Sequence, residues 1–143
     1  MELPKTVAEA RAALDAKKYT AVELSQGYLA SIEKKNPELN VYIEVYDDVA
    51  EQAQRADAMI AAGKATLLTG IPIAVKDNLL IMGKTASGGS NMLKNYTATY
   101  TATAIQKLQD AGAVFLGRTN MDEFAMGSST ETSAYGITKH PHD

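Results

Sequence analysis

Apolar positions in the first third of the chain recur at helical spacing. Val7, Ala10, Ala13 and Leu14 keep one stripe. Thr6 followed by Glu9 has the pattern of a capping box, in which each side chain satisfies a backbone N–H at the helix start. Thr20 with Glu23 repeats that box ahead of Leu24, Tyr28 and Ile32, and Asn36-Pro37 is expected to end this second helix. Next, Val41, Ile43 and Val45 alternate with Tyr42, Glu44 and Tyr46, which predicts a half-buried strand with one wet face. The tyrosines of that strand are expected to pack under the N-terminal helices. Helical spacing returns over 48–62 with Val49, Ala53, Ala56 and Ile60, Met59 filling the same core and Gly63 closing the helix.

The pattern changes at Gly70. Ile71-Pro72-Ile73-Ala74-Val75 is a continuous apolar run, as expected of a strand buried on both faces. A short helix over 103–111, with Ala104, Ile105 and Leu108 inward, leads through Gly112 to a second buried run, Ala113-Val114-Phe115-Leu116, ending at Gly117. Strand, crossover and strand in that order predict a parallel βαβ unit. Stretches 83–90 and 127–138, rich in Ser, Thr and Gly, read as loops beside the sheet. The fold class expected is α/β, with N-terminal helices packed on part of a mixed, largely parallel sheet. Residues 1–62 form the mainly helical region and 63–143 the start of the α/β core. Two buried strands are too few for a stable sheet, so the chain is expected to be the front portion of one larger domain.

Composition narrows the function classes. With 45% hydrophobic and 22% charged residues, general disorder is excluded. A net charge of −3 argues against tight non-specific binding to nucleic acid. Without cysteine there is no disulfide, thiol nucleophile or Cys-based metal site, and the only histidines are His140 and His142. A metal site at His140-x-His142 would need ligands from elsewhere, and a loop end is the preferred reading. No secretory signal is visible, and the apolar runs fall far short of the roughly 20 residues that span a bilayer. A cytoplasmic location without membrane attachment is the expectation.

Lys76 is the most informative residue, because it follows Val75 at the C-terminal end of a strand, where open α/β sheets place their sites. Held in an apolar pocket, a lysine loses solvation of its charged form, and the neutral amine can then take a proton from a serine. Asp77 and Asn78 offer an acceptor and an amide to position it. The alternative is a solvated lysine in a strand-ending turn. The run Thr119-Asn120-Met121-Asp122-Glu123-Phe124 follows the second buried strand, so Lys76 and Asn120 are expected at the same sheet edge. Asp122 and Glu123 read as caps of a short helix rather than catalytic or metal-binding carboxylates. Ser128 and Ser129 lack an adjacent base and the Gly-x-Ser-x-Gly pattern. Ser87-Gly88-Gly89-Ser90 lacks a phosphate-loop pattern and reads as a flexible turn.

Two motifs in order, Gly70-Ile-Pro-Ile-Ala-Val-Lys76-Asp-Asn78 and Gly117-Arg-Thr-Asn120-Met-Asp-Glu-Phe-Ala-Met-Gly-Ser-Ser-Thr-Glu131, resemble the amidase signature family. The second, longer motif favours the branch formed by the A subunits of glutamyl-tRNA(Gln)/aspartyl-tRNA(Asn) amidotransferases. The resemblance runs through the whole chain and covers about the front third of a protein of that branch. It implies a Ser–cis-Ser–Lys triad in which Lys76 is the base and glutamine is the substrate, hydrolysed to release ammonia. It also implies a substrate pocket lined by Met126, Gly127 and Ser128. No cofactor would bind this chain; ATP and Mg²⁺ would belong to a B subunit that activates misacylated tRNA, with a C subunit holding the pair together. Both serines of the family pattern fall just beyond Asp143, so these 143 residues alone are expected to be inert. His140-Pro141 departs from the usual Asn-Pro. Other readings carried forward are a stand-alone amidase of the same family and a non-catalytic binding or scaffold domain.

Overall fold

The computed structural model describes residues 2–142. Its order is α1 (Val7–Asp15), α2 (Ala21–Leu39), β1 (Tyr42–Val45), α3 (Val49–Ala61), β2 (Pro72–Lys76), α4 (Thr103–Asp110) and β3 (Val114–Thr119). The sheet has the order β1-β3-β2, with β3 antiparallel to β1 and parallel to β2. It is therefore mixed, as expected of the α/β class, and the β2-α4-β3 crossover is the parallel unit.

Local signals set the helices. Both capping boxes form, Thr6 with Glu9 and Thr20 with Glu23. Further donors at the start of α2 go to the carboxylate of Asp57 on α3, which accepts from Ala21 N at 2.7 Å and Val22 N at 3.2 Å. That places negative charge at a helix N-terminus, where the peptide dipoles favour it. Gly63 takes φ 68° and closes α3: its N–H donates to the Ile60 carbonyl while Lys64 N–H reaches back to Met59.

Four local expectations fail, each for a physical reason. Pro37 does not end α2, which runs through it to Leu39. Proline forfeits one hydrogen bond in the last turn, and the Asn36 side chain secures the exit by accepting from Val41 N and Tyr42 N and donating to the Tyr42 carbonyl. Val7 and Ala104 lie exposed rather than inward. Their places against the core are filled by Ala10, Leu14 and the buried Arg11 on α1, and by Ala102 and Ile105 at α4. The run 71–75 is not buried on both faces, because β2 is an edge strand: Ile71 and Val75 are buried and Ala74 is exposed. Burial on both faces belongs to central β3 alone, where Val114 through Arg118 are all inside. Just past β1, Tyr46 is buried, while Val45 at the strand's end is exposed and looks onto an open groove lined by Leu29, Ile32 and Pro37.

The core gathers Leu14, Leu24, Val49, Val75, Ile105, Val114 and Phe115 between the helices and the sheet. Gly117 in the middle of β3 lets β1 approach: a Cβ there would sit 2.1 Å from the Glu44 carbonyl oxygen. Arg11 ties α1 to the turn before β2, donating to the Thr69 carbonyl at 2.6 Å. Among the described residues no helix is long and apolar enough to cross a membrane.

Candidate active-site edge

Lys76 closes β2 and stands in register with Thr119, the last residue of β3. Asn120 follows directly, so the two candidate segments share the carboxyl edge of the sheet, as their spacing predicted. Asn120 works there as a clamp. Its amide donates to the Gly136 carbonyl at 2.7 Å and to Thr138 Oγ1 at 3.0 Å, and its Oδ1 accepts from Met121 N and Ser133 Oγ.

Lys76 itself is exposed, and among the described residues its ammonium makes no ion pair. The expected apolar pocket is therefore not formed around it, because β2 lies at the sheet's edge. Its neighbours divide: Asn78 is exposed, whereas Asp77 is 1% exposed and turned inward. Neither positions the Lys76 amine by a hydrogen bond.

Asp77 instead anchors a network. Its carboxylate accepts from Arg118 Nη1 at 2.7 Å, from Ser87 N at 3.1 Å, from Gly89 N at 2.9 Å and from the Ser87 hydroxyl. Arg118 also donates to Glu44 at 2.7 Å, and the Tyr135 ring lies 5.5 Å from its guanidinium carbon. The Tyr135 hydroxyl donates to Ser87 Oγ at 2.9 Å. Burial opposes the Arg118 charge, but the hydrogen bonds to Asp77 and Glu44 outweigh it and hold the guanidinium above its ordinary value. This network corrects the reading of Ser87-Gly88-Gly89-Ser90 as a flexible turn. Residues 86–90 are buried and bonded to Asp77, Tyr96, Arg118, Glu123, Phe124, Ala134 and Tyr135. Sequence reasoning gives Arg118 and Tyr135 no role of their own and reads Ser87 only as part of a turn. The available signal was an arginine inside an otherwise apolar strand.

The second motif wraps around Asp122. That carboxylate accepts from Ser129 N and Thr130 N at 2.9 Å each, from Thr132 N at 3.3 Å and from Thr132 Oγ1 at 3.0 Å. The backbone bond from Thr130 leads in pulling its carboxyl below the ordinary range, and those from Thr132 and Ser129 add to it against the cost of burial. Glu123 accepts from Ser90 Oγ at 2.6 Å. Both acids thus hold loops, which corrects their reading as helix caps: Asp122 precedes the single 3-10 turn Glu123–Ala125, and its side chain caps none of that turn's N–H groups. Met126 is 82% exposed, and Gly127 and Ser128 are exposed beside it. The Ser87–Ser90 loop connects the two motifs: Gly89 N donates to Asp77, and Gly88 accepts from Phe124 N at 2.8 Å. Among the described residues no cluster of three His, Asp or Glu side chains is arranged to hold a metal ion. His140 and His142 meet edge-on at 5.8 Å.

Comparison with known proteins places this arrangement. A family model for amidases matches residues 23–143. The A subunit of the glutamyl-tRNA(Gln) amidotransferase of Nitrosococcus oceani is 50% identical over 142 residues, covering 97% of this chain and 29% of its own. The protein of the same name from Neisseria meningitidis serogroup C is 50% identical over 137 residues, or 95% and 28% of the two chains. Among solved structures, the native peptide amidase from Stenotrophomonas maltophilia superposes with a TM-score of 0.81 at 31% identity, covering 94% of this chain and 29% of that one. The chain thus spans less than a third of the length of the curated relatives it matches. A match over 23–143, carrying both the β2 and the β3 motif at one sheet edge, means that this chain belongs to the amidase family.

Proposed function

We propose that these residues are the N-terminal part of a glutamine-hydrolysing subunit that supplies ammonia to a tRNA-dependent amidotransferase. The observation that carries this reading is the 50% identity to A subunits of glutamyl-tRNA(Gln) amidotransferases over nearly the whole chain. In this reading Lys76 is the base. Its amine takes the proton of a serine nucleophile through a cis-serine, and the serine oxygen attacks the side-chain carbonyl of glutamine. The same proton passes back to the amide nitrogen, so that the C–N bond breaks and ammonia leaves as the acyl–enzyme forms. Water then releases glutamate. Met126, Gly127 and Ser128 line the substrate pocket. The triad serines come from further along the polypeptide, and protein packed over the β2 edge removes water from Lys76. B and C subunits, misacylated tRNA, and ATP with Mg²⁺ at the B subunit complete the assembly, in the cytoplasm.

The test is glutamine hydrolysis by the complete enzyme, all its subunits present, with and without Lys76→Ala. Ammonia release lost in the variant supports the reading, and release that survives removes Lys76 from the chemistry. The likeness to a peptide amidase favours a second reading, a stand-alone amidase. Turnover of simple amides without partner subunits or tRNA would select it.

A further inference from the structure

Asp122 has no role in the reaction just described, yet its carboxylate is buried and heavily bonded. It is 5% exposed and accepts four hydrogen bonds, all from residues 129–132. Gly127 lies against it so closely that a Cβ there would stand 2.7 Å from the Asp122 carboxyl carbon. The same loop holds three non-glycine residues at positive φ, Phe124 at 51°, Ala125 at 61° and Thr130 at 62°. Such backbone is costly and persists only where surrounding bonds over-determine it. Phe124 N and Ala134 N, bonded to Gly88 and Gly89, fix the two ends, and the Asp122 carboxylate fixes the middle.

We propose that Asp122 is a positioning residue for substrate, the post around which the exposed Met126-Gly127-Ser128 strap is wound. This rests on the glutaminase reading above, in which that strap touches glutamine. Asp122 acts only through the loop. Gly127 is glycine because the post occupies the space a side chain would take.

Two measurements test it. In the complete enzyme, Asp122→Asn keeps the shape but turns an amide N–H toward backbone donors. KM for glutamine should then rise on the order of 10- to 100-fold, with kcat much less changed, as for a misplaced binding group. Gly127→Ala should do the same alone and add little on top of Asp122→Ala, since the clash goes with the post. A purely structural Asp122 would lower thermal stability and leave KM unmoved, and that result overturns the proposal. Additive effects of the two alanines overturn it as well. In the 143-residue chain, the amide resonances of Ser129, Thr130 and Thr132 should shift in Asp122→Asn; if they stay, the post does not exist. If the unaltered enzyme releases no ammonia from glutamine, the functional reading fails and the positioning role falls with it. The amide shifts then tell separately whether the post itself was real.

Discussion

The Arg118 guanidinium and the Asp77 carboxylate meet at 2.7 Å in a dry site, Arg118 on the central strand and Asp77 one residue past the lysine that ends the edge strand. Through Glu44, Ser87 and Tyr135 the pair draws β1, the Ser87–Ser90 loop and the C-terminal loop onto the same sheet edge.

Breaking this pair on one side should therefore unfold the edge rather than trim a surface contact. Asp77→Ala leaves a guanidinium buried with Glu44 alone, and Arg118→Ala leaves a carboxylate with no cation beside it. Losing one partner of a buried pair costs about 3–5 kcal/mol. Urea unfolding of the chain checks this. A loss of under about 1 kcal/mol, the value of an exposed pair, would contradict the network's role.

Gly117→Ala is expected to detach β1. The new Cβ would press on the Glu44 carbonyl oxygen at 2.1 Å, which is backbone and cannot rotate aside. Overpacking of this kind costs about 1–3 kcal/mol. Hydrogen exchange at Tyr46 N, which bonds the Leu116 carbonyl, should quicken before that of β2. Equal quickening throughout the sheet would refute a local effect.

Which features could be read from the sequence follows the range of the interactions. The capping boxes at Thr6 and Thr20 and the Gly63 stop depend on residues within a few positions, and they stand as expected. Lys76 at a strand end, level with the start of the Thr119-Asn120 run, follows from strand order and also stands. The Asp77–Arg118 bond spans 41 positions and Tyr135–Ser87 spans 48, and no periodicity reports such partners. The apolar run 71–75 overstates the burial of β2, because such a run does not tell an edge strand from a central one. Pro37 does not mark the end of α2, because a side chain, Asn36, takes over the exit of the helix.

Acid and base should weaken the fold through different residues. The Asp122 carboxyl is held low, chiefly by the Thr130 backbone bond, so its contribution is present above the unfolded carboxyl value of about 3.9 and lost as pH falls through the folded one. Tyr46 is pushed the other way, to about 12, first by burial and then by Glu44. Its contribution is complete below the unfolded value of about 10 and is lost as pH rises toward 12. Unfolding free energy measured against pH should fall at both ends. Asp122→Asn should flatten the acid limb and Tyr46→Phe the alkaline one; limbs unchanged by these variants would assign them to other groups.

Lys76→Ala should separate stability from chemistry. The side chain is exposed and bears no ion pair among the described residues, and substitutions at such sites usually stay within about 0.5 kcal/mol. The urea midpoint of the 143-residue chain should hardly move. If Lys76 is the base proposed above, the same change in the complete enzyme should abolish ammonia release, because the proton of the nucleophile would then have no acceptor. Lys76→Arg should be equally inactive, since a guanidinium keeps its proton. Activity retained in Lys76→Arg would show that Lys76 serves by charge and not as a base, and a large loss of stability in Lys76→Ala would show a structural role that its exposure does not suggest.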